Sequence, residues 1–267
     1  MSGVKALCLV PHFFGAGGYF GGSSSINAAK RRRRIVTRTI AQLKSLSVIL
    51  DPTVLVYGVG DQSLVTPDVD VSARLDTPLR LVWLLFQDIE QQLDAYDYFL
   101  VVEDDILVPR GVIARMMSAA PDLGANEILF PNRLEFLHGL PLVPDLYFLQ
   151  KWTGFSRDWN GERWHEAANP NSGFLFMNRA QMTSVCARND FTKPEVGADS
   201  YTYVDAAFSR AHRDFRLLRE RTIIPRHCLF HQDSWSVRHK VRIITAAKSH
   251  FSRYAREDLQ WHRQGSI

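Results

Sequence analysis

Three consecutive carboxylates, Glu103, Asp104 and Asp105, follow directly on the apolar run Tyr98–Val102. A short, continuous apolar run with valines at its end is the pattern of a strand buried on both faces. Acids at the tip of such a strand repel one another, and burial disfavours their charged forms. A divalent cation removes both penalties. Mg²⁺ and Mn²⁺ prefer carboxylate oxygen, and Mg²⁺ is commonly held by one or two carboxylates together with substrate phosphates. Strand alternation puts Glu103 and Asp105 on one side and Asp104 on the other. The plain alternative is an acidic turn capping a helix at about 109–115.

Other residues could complete such a site. His231 follows an apolar run, as a metal ligand or as a satisfied core histidine, with His227 four residues before it as a second candidate. Cys228 lacks any partner at zinc-ligand spacing. Asp205 lies in a segment of helical pattern, 202–212, either as a general base or as a helix carboxylate near Arg210 and Arg213. Asp199 is its rival, placed where a helix cap would sit. The segment Trp159-Asn-Gly-Glu-Arg-Trp164-His165-Glu166 is too polar for a core strand, although some of its tryptophans suit a core. Aromatic faces flanked by acids and amides suit sugar rings, so Trp164, His165, Glu166, Asn171 and Gly173 form the candidate acceptor subsite. Glycine at 173 would allow close approach.

The elements that must position these residues alternate. Residues 4–10 and 53–59 read as apolar strands, as do Tyr98–Val102 and 173–177. A helix is expected over about 26–47, with Ile35, Thr39, Leu43 and Leu46 at helical spacing. A second starts at Thr77-Pro78, cap then proline, and runs through Leu93. This alternation predicts an α/β fold: a Rossmann-like, mostly parallel sheet with helices on both faces. In such sheets ligands bind beyond the carboxyl ends of the strands, where the triplet, Asp61 and a glycine-rich loop at 15–22 all fall. Residues 132–171 show little periodicity and many aromatics, and such a stretch is usually functional. A basic amphipathic helix is expected over 238–264.

Composition narrows the classes. Of the 267 residues, 46% are hydrophobic and 22% charged, which argues against disorder. The three cysteines show no disulfide framework, so a reducing compartment is expected. The longest apolar stretch, 79–86, is broken by Arg80 and is far short of the roughly 20 residues that span a bilayer. No cleavage site follows the first strand, so no signal peptide is expected. The formal charge of +4 suits anionic partners. Lys30–Arg34 is five cations in a row, read as a solvated helix face, a diphosphate clamp using one arginine, or a patch for anionic lipid. Nuclear localisation has only composition behind it. The glycine loop fails both phosphate-binding registers: Phe20 stands where a G-x-G-x-x-G from Gly15 needs glycine, and no Gly-Lys-Ser follows.

The triplet after its apolar strand resembles the DxD region of GT-A glycosyltransferases. The Glu-Asp-Asp form is similar to that of the eukaryotic β-1,2-N-acetylglucosaminyltransferases. Two later segments follow the family's order. Tyr203-Val204-Asp205 resembles the helix start that supplies a catalytic base, with Val204 where the family has Glu. Phe230-His231-Gln-Asp-Ser234 resembles a C-terminal His-x-x-x-Ser element, and the whole covers roughly residues 4–236. The resemblance implies one GT-A catalytic domain over 1–267, with a nucleotide-sugar half at 1–131, an acceptor half at 132–237 and the basic helix at 238–267. It implies Mn²⁺ or Mg²⁺ as cofactor, bound directly by Asp105 and joined by His231. Glu103 and Asp104 would meet ribose, sugar or metal-bound water. Pro11, His12 and Phe13 would meet nucleobase and ribose, and Asp61 a uracil.

The implied reaction moves a sugar from a UDP-sugar to a hydroxyl of a glycan or glycolipid acceptor, inverting if Asp205 is the base. The expected location is the cytoplasm, with peripheral contact at the inner face of a membrane and no nucleic-acid partner. A sugar nucleotidylyltransferase and a retaining glycosyltransferase stay open, and so does a non-catalytic nucleic-acid or lipid-binding module.

Overall fold

A computed structural model describes residues 3–14, 26–75, 78–137, 140–143, 152–168, 173–188, 207–221 and 227–232. The glycine loop at 15–22, Asn171, Asp199, Asp205, Ser234 and the segment 238–267 lie outside the described residues.

In the first half strands and helices alternate except that β3 follows β2: β1 (Lys5–His12), α1 (Ile26–Lys44), β2 (Asp51–Gly58), β3 (Val69–Asp70), α2 (Leu81–Glu90) and β4 (Tyr98–Val102). Then come β5 (Ile106–Leu107), α3 (Arg110–Ala119), β6 (Glu127–Leu129), β7 (Asn132–Leu137), β8 (Leu140–Leu142), β9 (Trp152–Trp159) and β10 (Glu162–Ala167). β11 (Phe174–Asn178), α4 (Arg179–Cys186), β12 (Arg216–Arg219) and β13 (Cys228–His231) complete the set, and residues 207–212 are helical.

The central sheet has the order β11-β4-β1-β2-β3. β1 runs parallel to both β2 and β4, and β11 joins β4 antiparallel. Reading outward from β1, the chain first adds β2 and β3 on one side and then returns to add β4 on the other. Right-handed crossovers therefore place α1 and α2 on opposite faces. The reversal opens a crevice beyond the carboxyl ends of β1 and β4, the usual ligand position in open α/β sheets. The expected mixed α/β architecture with a parallel sheet is what the chain adopts.

β1 and β4 form because their side chains are apolar on both faces, and Ala6 to Val10 and Phe99 to Val102 are fully buried. α1 presents one apolar stripe inward through Val36, Thr39 and Leu43, at helical spacing. The helix expected from Thr77-Pro78 begins instead as a 3₁₀ turn, Pro78–Arg80, and becomes α-helical at Leu81. The three cysteines are buried and form no disulfide.

The stretch expected to be irregular contains four strands. β9 and β10 form a hairpin in which Trp159 pairs with Glu162 across Asn160-Gly161. Both turn residues have positive φ, 51° and 74°. Asn-Gly is the residue pair that favours this two-residue turn. This hairpin extends a second sheet, order β6-β12-β10-β9, and the third sheet has the order β5-β13-β7-β8.

Candidate active site

The acid triplet leaves β4 at the crevice and turns at once into β5, with the Ile106 amide bonded to the Glu103 carbonyl at 3.0 Å. β5 is only two residues long, yet it sets the register of the site. Ile106 pairs with His231 and Leu107 with Phe230, and the Gln232 amide donates to the Asp105 carbonyl at 2.9 Å. A histidine 126 positions later is thereby held beside Asp105, with His231 Nε2 3.3 Å from Asp105 Oδ2.

The other imidazole nitrogen, Nδ1, lies 3.2 Å from Glu135 Oε1 on β7, the strand parallel to β13. A carboxylate behind a histidine fixes the ring and raises its basicity as a ligand. Arg133 reaches the same Glu135 oxygen at 3.7 Å. Neither Arg133 nor Glu135 was among the sequence candidates. The available signal was two ionic residues at alternate positions of a short strand, each followed by an apolar residue.

His12, at the end of β1, is fully buried. Its Nε2 accepts the Leu64 amide at 2.9 Å, so the ring hydrogen sits on Nδ1 and is donated to Asp104 Oδ2 at 2.5 Å. Both ring nitrogens of His12, expected to meet the nucleotide, are spent inside the fold, and the ring orients Asp104. Pro11 and Phe13 flank it and are partly buried. Asp61 lies on a 3₁₀ turn, Gly60–Gln62, and is exposed. That turn is tied to the end of β1 by the Phe14 amide and the Gln62 carbonyl.

From α1, Arg32 spans the two aspartates. Its Nη1 donates to Asp105 Oδ2 at 2.8 Å, and Nη2 donates to Asp104 Oδ1. It is one turn before buried Val36 on the helix's inward face, which is why it reaches the acids. Arg31, Arg33 and Arg34 are exposed.

Burial by itself pushes the Asp105 carboxyl upward, but the charges of His231 and Arg32 and their hydrogen bonds overcome it. The group is held well below the usual carboxylate range. Asp105 Oδ1 is buried and has no hydrogen-bond partner among the described residues.

Gly173 explains Glu103. Its φ is +61°, its carbonyl accepts the Glu103 amide at 2.9 Å, and a Cβ there would fall on the Glu103 carboxylate. The glycine makes room for an acid of the triplet, not for an acceptor.

Ligand atoms of Glu103, Asp105 and His231 all lie within 4.8 Å of one another. A second such group exists, Glu162, Glu220 and His227. Position separates the two: the first follows β4 at the crevice of the central sheet, and Glu162 of the second lies on β10 of the second sheet. At the triplet Arg32 spans Asp104 and Asp105, and Arg133 reaches Glu135. In the second group Arg115 pairs with Glu162, and His227 lies between Glu162, at 3.6 Å, and Glu220. The carboxylate and imidazole donors at the triplet fit a divalent cation, and Asp105 Oδ1, without a hydrogen-bond partner among the described residues, gives it a ligand.

The acceptor candidates are distributed differently from expectation. Trp164 is 1% exposed and packs against His227 at 5.1 Å, so it offers no free face to a sugar. His165 meets the edge of Trp152 at 5.9 Å, and burial first, then the charges of Arg221 and Arg163, lowers its pKa to about 4. Glu166 accepts from the Thr153 hydroxyl and lies 3.7 Å from Arg216.

Fold and site thus define an α/β protein with an acidic, imidazole-flanked crevice at the switch point of its sheet. No family model matches the chain, and no curated protein matches it. Among solved structures it is similar to a glycosyltransferase involved in the glycosylation of the major capsid of PBCV-1, at 11% identity and a TM-score of 0.33 over 89% of this chain and 98% of that one. It is also similar to 4-diphosphocytidyl-2C-methyl-D-erythritol synthase, at 14% identity and a TM-score of 0.31 over 81% of this chain and 88% of that one. At these scores neither likeness bears on what the chain does.

Proposed function

We propose that the chain is a metal-dependent glycosyltransferase that uses a nucleotide diphosphate sugar, with UDP as the expected nucleotide. The observation that carries this reading is the cluster of Glu103, Asp105 and His231 at the sheet's ligand crevice, with Asp105 Oδ1 lacking a hydrogen-bond partner among the described residues. Asp105, Glu103 and His231 would hold Mn²⁺ or Mg²⁺, with Glu135 orienting His231. When bound, the ion supplies Lewis-acid stabilisation of the departing diphosphate. His12 fixes Asp104 at the floor of the crevice, and the buried end of β4 keeps water from the acids' inner side. Asp205 is proposed as the base that takes the proton of the acceptor hydroxyl, giving inversion. A general base must come within about 3 Å of that proton's oxygen.

Isothermal titration of uridine diphosphate with and without Mn²⁺ tests the reading. Binding should need the metal. Asp105→Ala should abolish the metal-dependent part, and Asp205→Asn should keep binding while losing transfer in a nucleotide-sugar screen by on the order of a hundredfold or more. Metal-independent binding, or an unchanged Asp105→Ala, rejects it.

A sugar nucleotidylyltransferase is the second reading. It is favoured by one observation, an arginine of the cation run following the glycine loop that does reach the acids. Pyrophosphate release from a nucleoside triphosphate and a sugar phosphate would select it.

A further inference from the structure

The acid pair already holds a cation. Arg32 Nη1 sits 2.8 Å from Asp105 Oδ2, and Nη2 pairs with Asp104. A guanidinium presents its donors in a rigid planar fork, so one side chain bridges two carboxylates where an ammonium would contact one. The same Asp105 oxygen faces His231 at 3.3 Å. An arriving divalent ion therefore meets a positive group in contact with its principal ligand, and like charges at that range repel.

We propose that Arg32 is a built-in competitor for the metal and, once displaced, a clamp on the diphosphate. This rests on the reading of the triplet as the metal site. With no nucleotide present, Arg32 neutralises part of the acid charge and weakens binding of the ion. Nucleotide diphosphate provides anionic oxygens that suit the same fork, so it releases Arg32 from Asp105. Metal and nucleotide then bind cooperatively, and by linkage each tightens the other by the same factor.

The geometry of α1 suits the exchange. Thr39, two turns further along the same face, accepts from Gln232 Nε2 at 2.9 Å, and Gln42 bonds both backbone groups of Val108. The helix is thus pinned beside the ends of β5 and β13, while Arg32 projects from its outer end at 20% side-chain exposure. The guanidinium can move while the helix stays.

The test titrates MnCl₂ alone into the full chain and then uridine diphosphate into the Mn²⁺-saturated chain, for the wild type, Arg32→Gln and Arg32→Lys. Arg32→Gln should bind Mn²⁺ alone on the order of tenfold more tightly and uridine diphosphate on the order of tenfold more weakly, within the usual range of site coupling. Arg32→Lys keeps the charge without the fork and should fall between. If Arg32→Gln does not fold, Arg32→Lys decides by the same signs. Mn²⁺ affinity that is unchanged or lower in the variant overturns the role of Arg32 while leaving the metal site standing. A wild type that shows no Mn²⁺-dependent binding of uridine diphosphate overturns both.

Discussion

Glu103 depends on the absence of a single methyl group. The backbone of Gly173 runs beside it with φ at +61°, and any side chain at 173 would occupy the space of its carboxylate. Gly173→Ala meets two penalties. The left-handed backbone costs a residue with a Cβ roughly 1–2 kcal/mol, and Glu103 must move. We expect urea unfolding to give a stability lowered by about that amount and a weaker Mn²⁺ titration. Lower stability with unchanged Mn²⁺ affinity would show that Glu103 is not a ligand. Triplet and histidine were readable as candidates because each ends an apolar run, and sequence alone suffices for that. Their partners were not. Arg32, Glu135 and His12 meet the acids only through pairings that close loops of many tens of residues, and no local pattern encodes such a meeting.

Element by element, what could be read followed burial. β1, β2 and β4 were evident as apolar runs, and α1 as a periodic one, because packing on two faces or one stripe leaves a compositional mark. β9 and β10 are partly exposed, and their ladder shifts register between His165 and Ala167, so period-two alternation is blurred. Asn160-Gly161 carried the hairpin signal instead. The helical segment 207–212 was expected, and His212 within it makes a pH prediction. His212 is buried against Phe130, with ring centroids 4.9 Å apart, and its Nδ1 donates to the Phe208 carbonyl at 2.8 Å. Burial lowers its pKa to about 4 against the carbonyl's opposing pull.

A depressed pKa means that the unfolded chain takes up a proton first as the pH falls. Stability is therefore full above about 6.5 and is lost progressively towards 4. The loss between pH 7 and pH 5 should be about 2 kcal/mol. Urea melts at the two pH values measure it, and His212→Gln should remove that part of the slope. An unaltered slope in the variant would mean that other groups carry the acid sensitivity.

Across the whole molecule, the site is where separate layers meet. His12 comes from the central sheet, Arg32 from the helix on one face, and Glu135 and His231 from the third sheet. The principal core joins the central sheet to the second sheet, including Trp164, Leu217 and Leu218, while β7 and β13 enclose a smaller cluster of Leu134, Val143 and Cys228. No described helix is long and apolar enough to cross a membrane.

A ligand bound at such a junction must be released before the layers separate, so its binding energy adds to the stability of the fold. At a hundred times its dissociation constant a ligand contributes about 2.7 kcal/mol. For a chain of this size each kcal/mol raises the melting temperature by roughly 2–4 °C. Uridine diphosphate with Mn²⁺ should therefore raise the melting temperature by about 5–10 °C, and chelation should reverse the effect. Asp105→Ala should show no shift with the same pair of ligands, although its own melting temperature will differ. An equal shift in that variant would place the binding site elsewhere on the molecule, since no other aspartate at the crevice keeps an oxygen free of protein partners among the described residues.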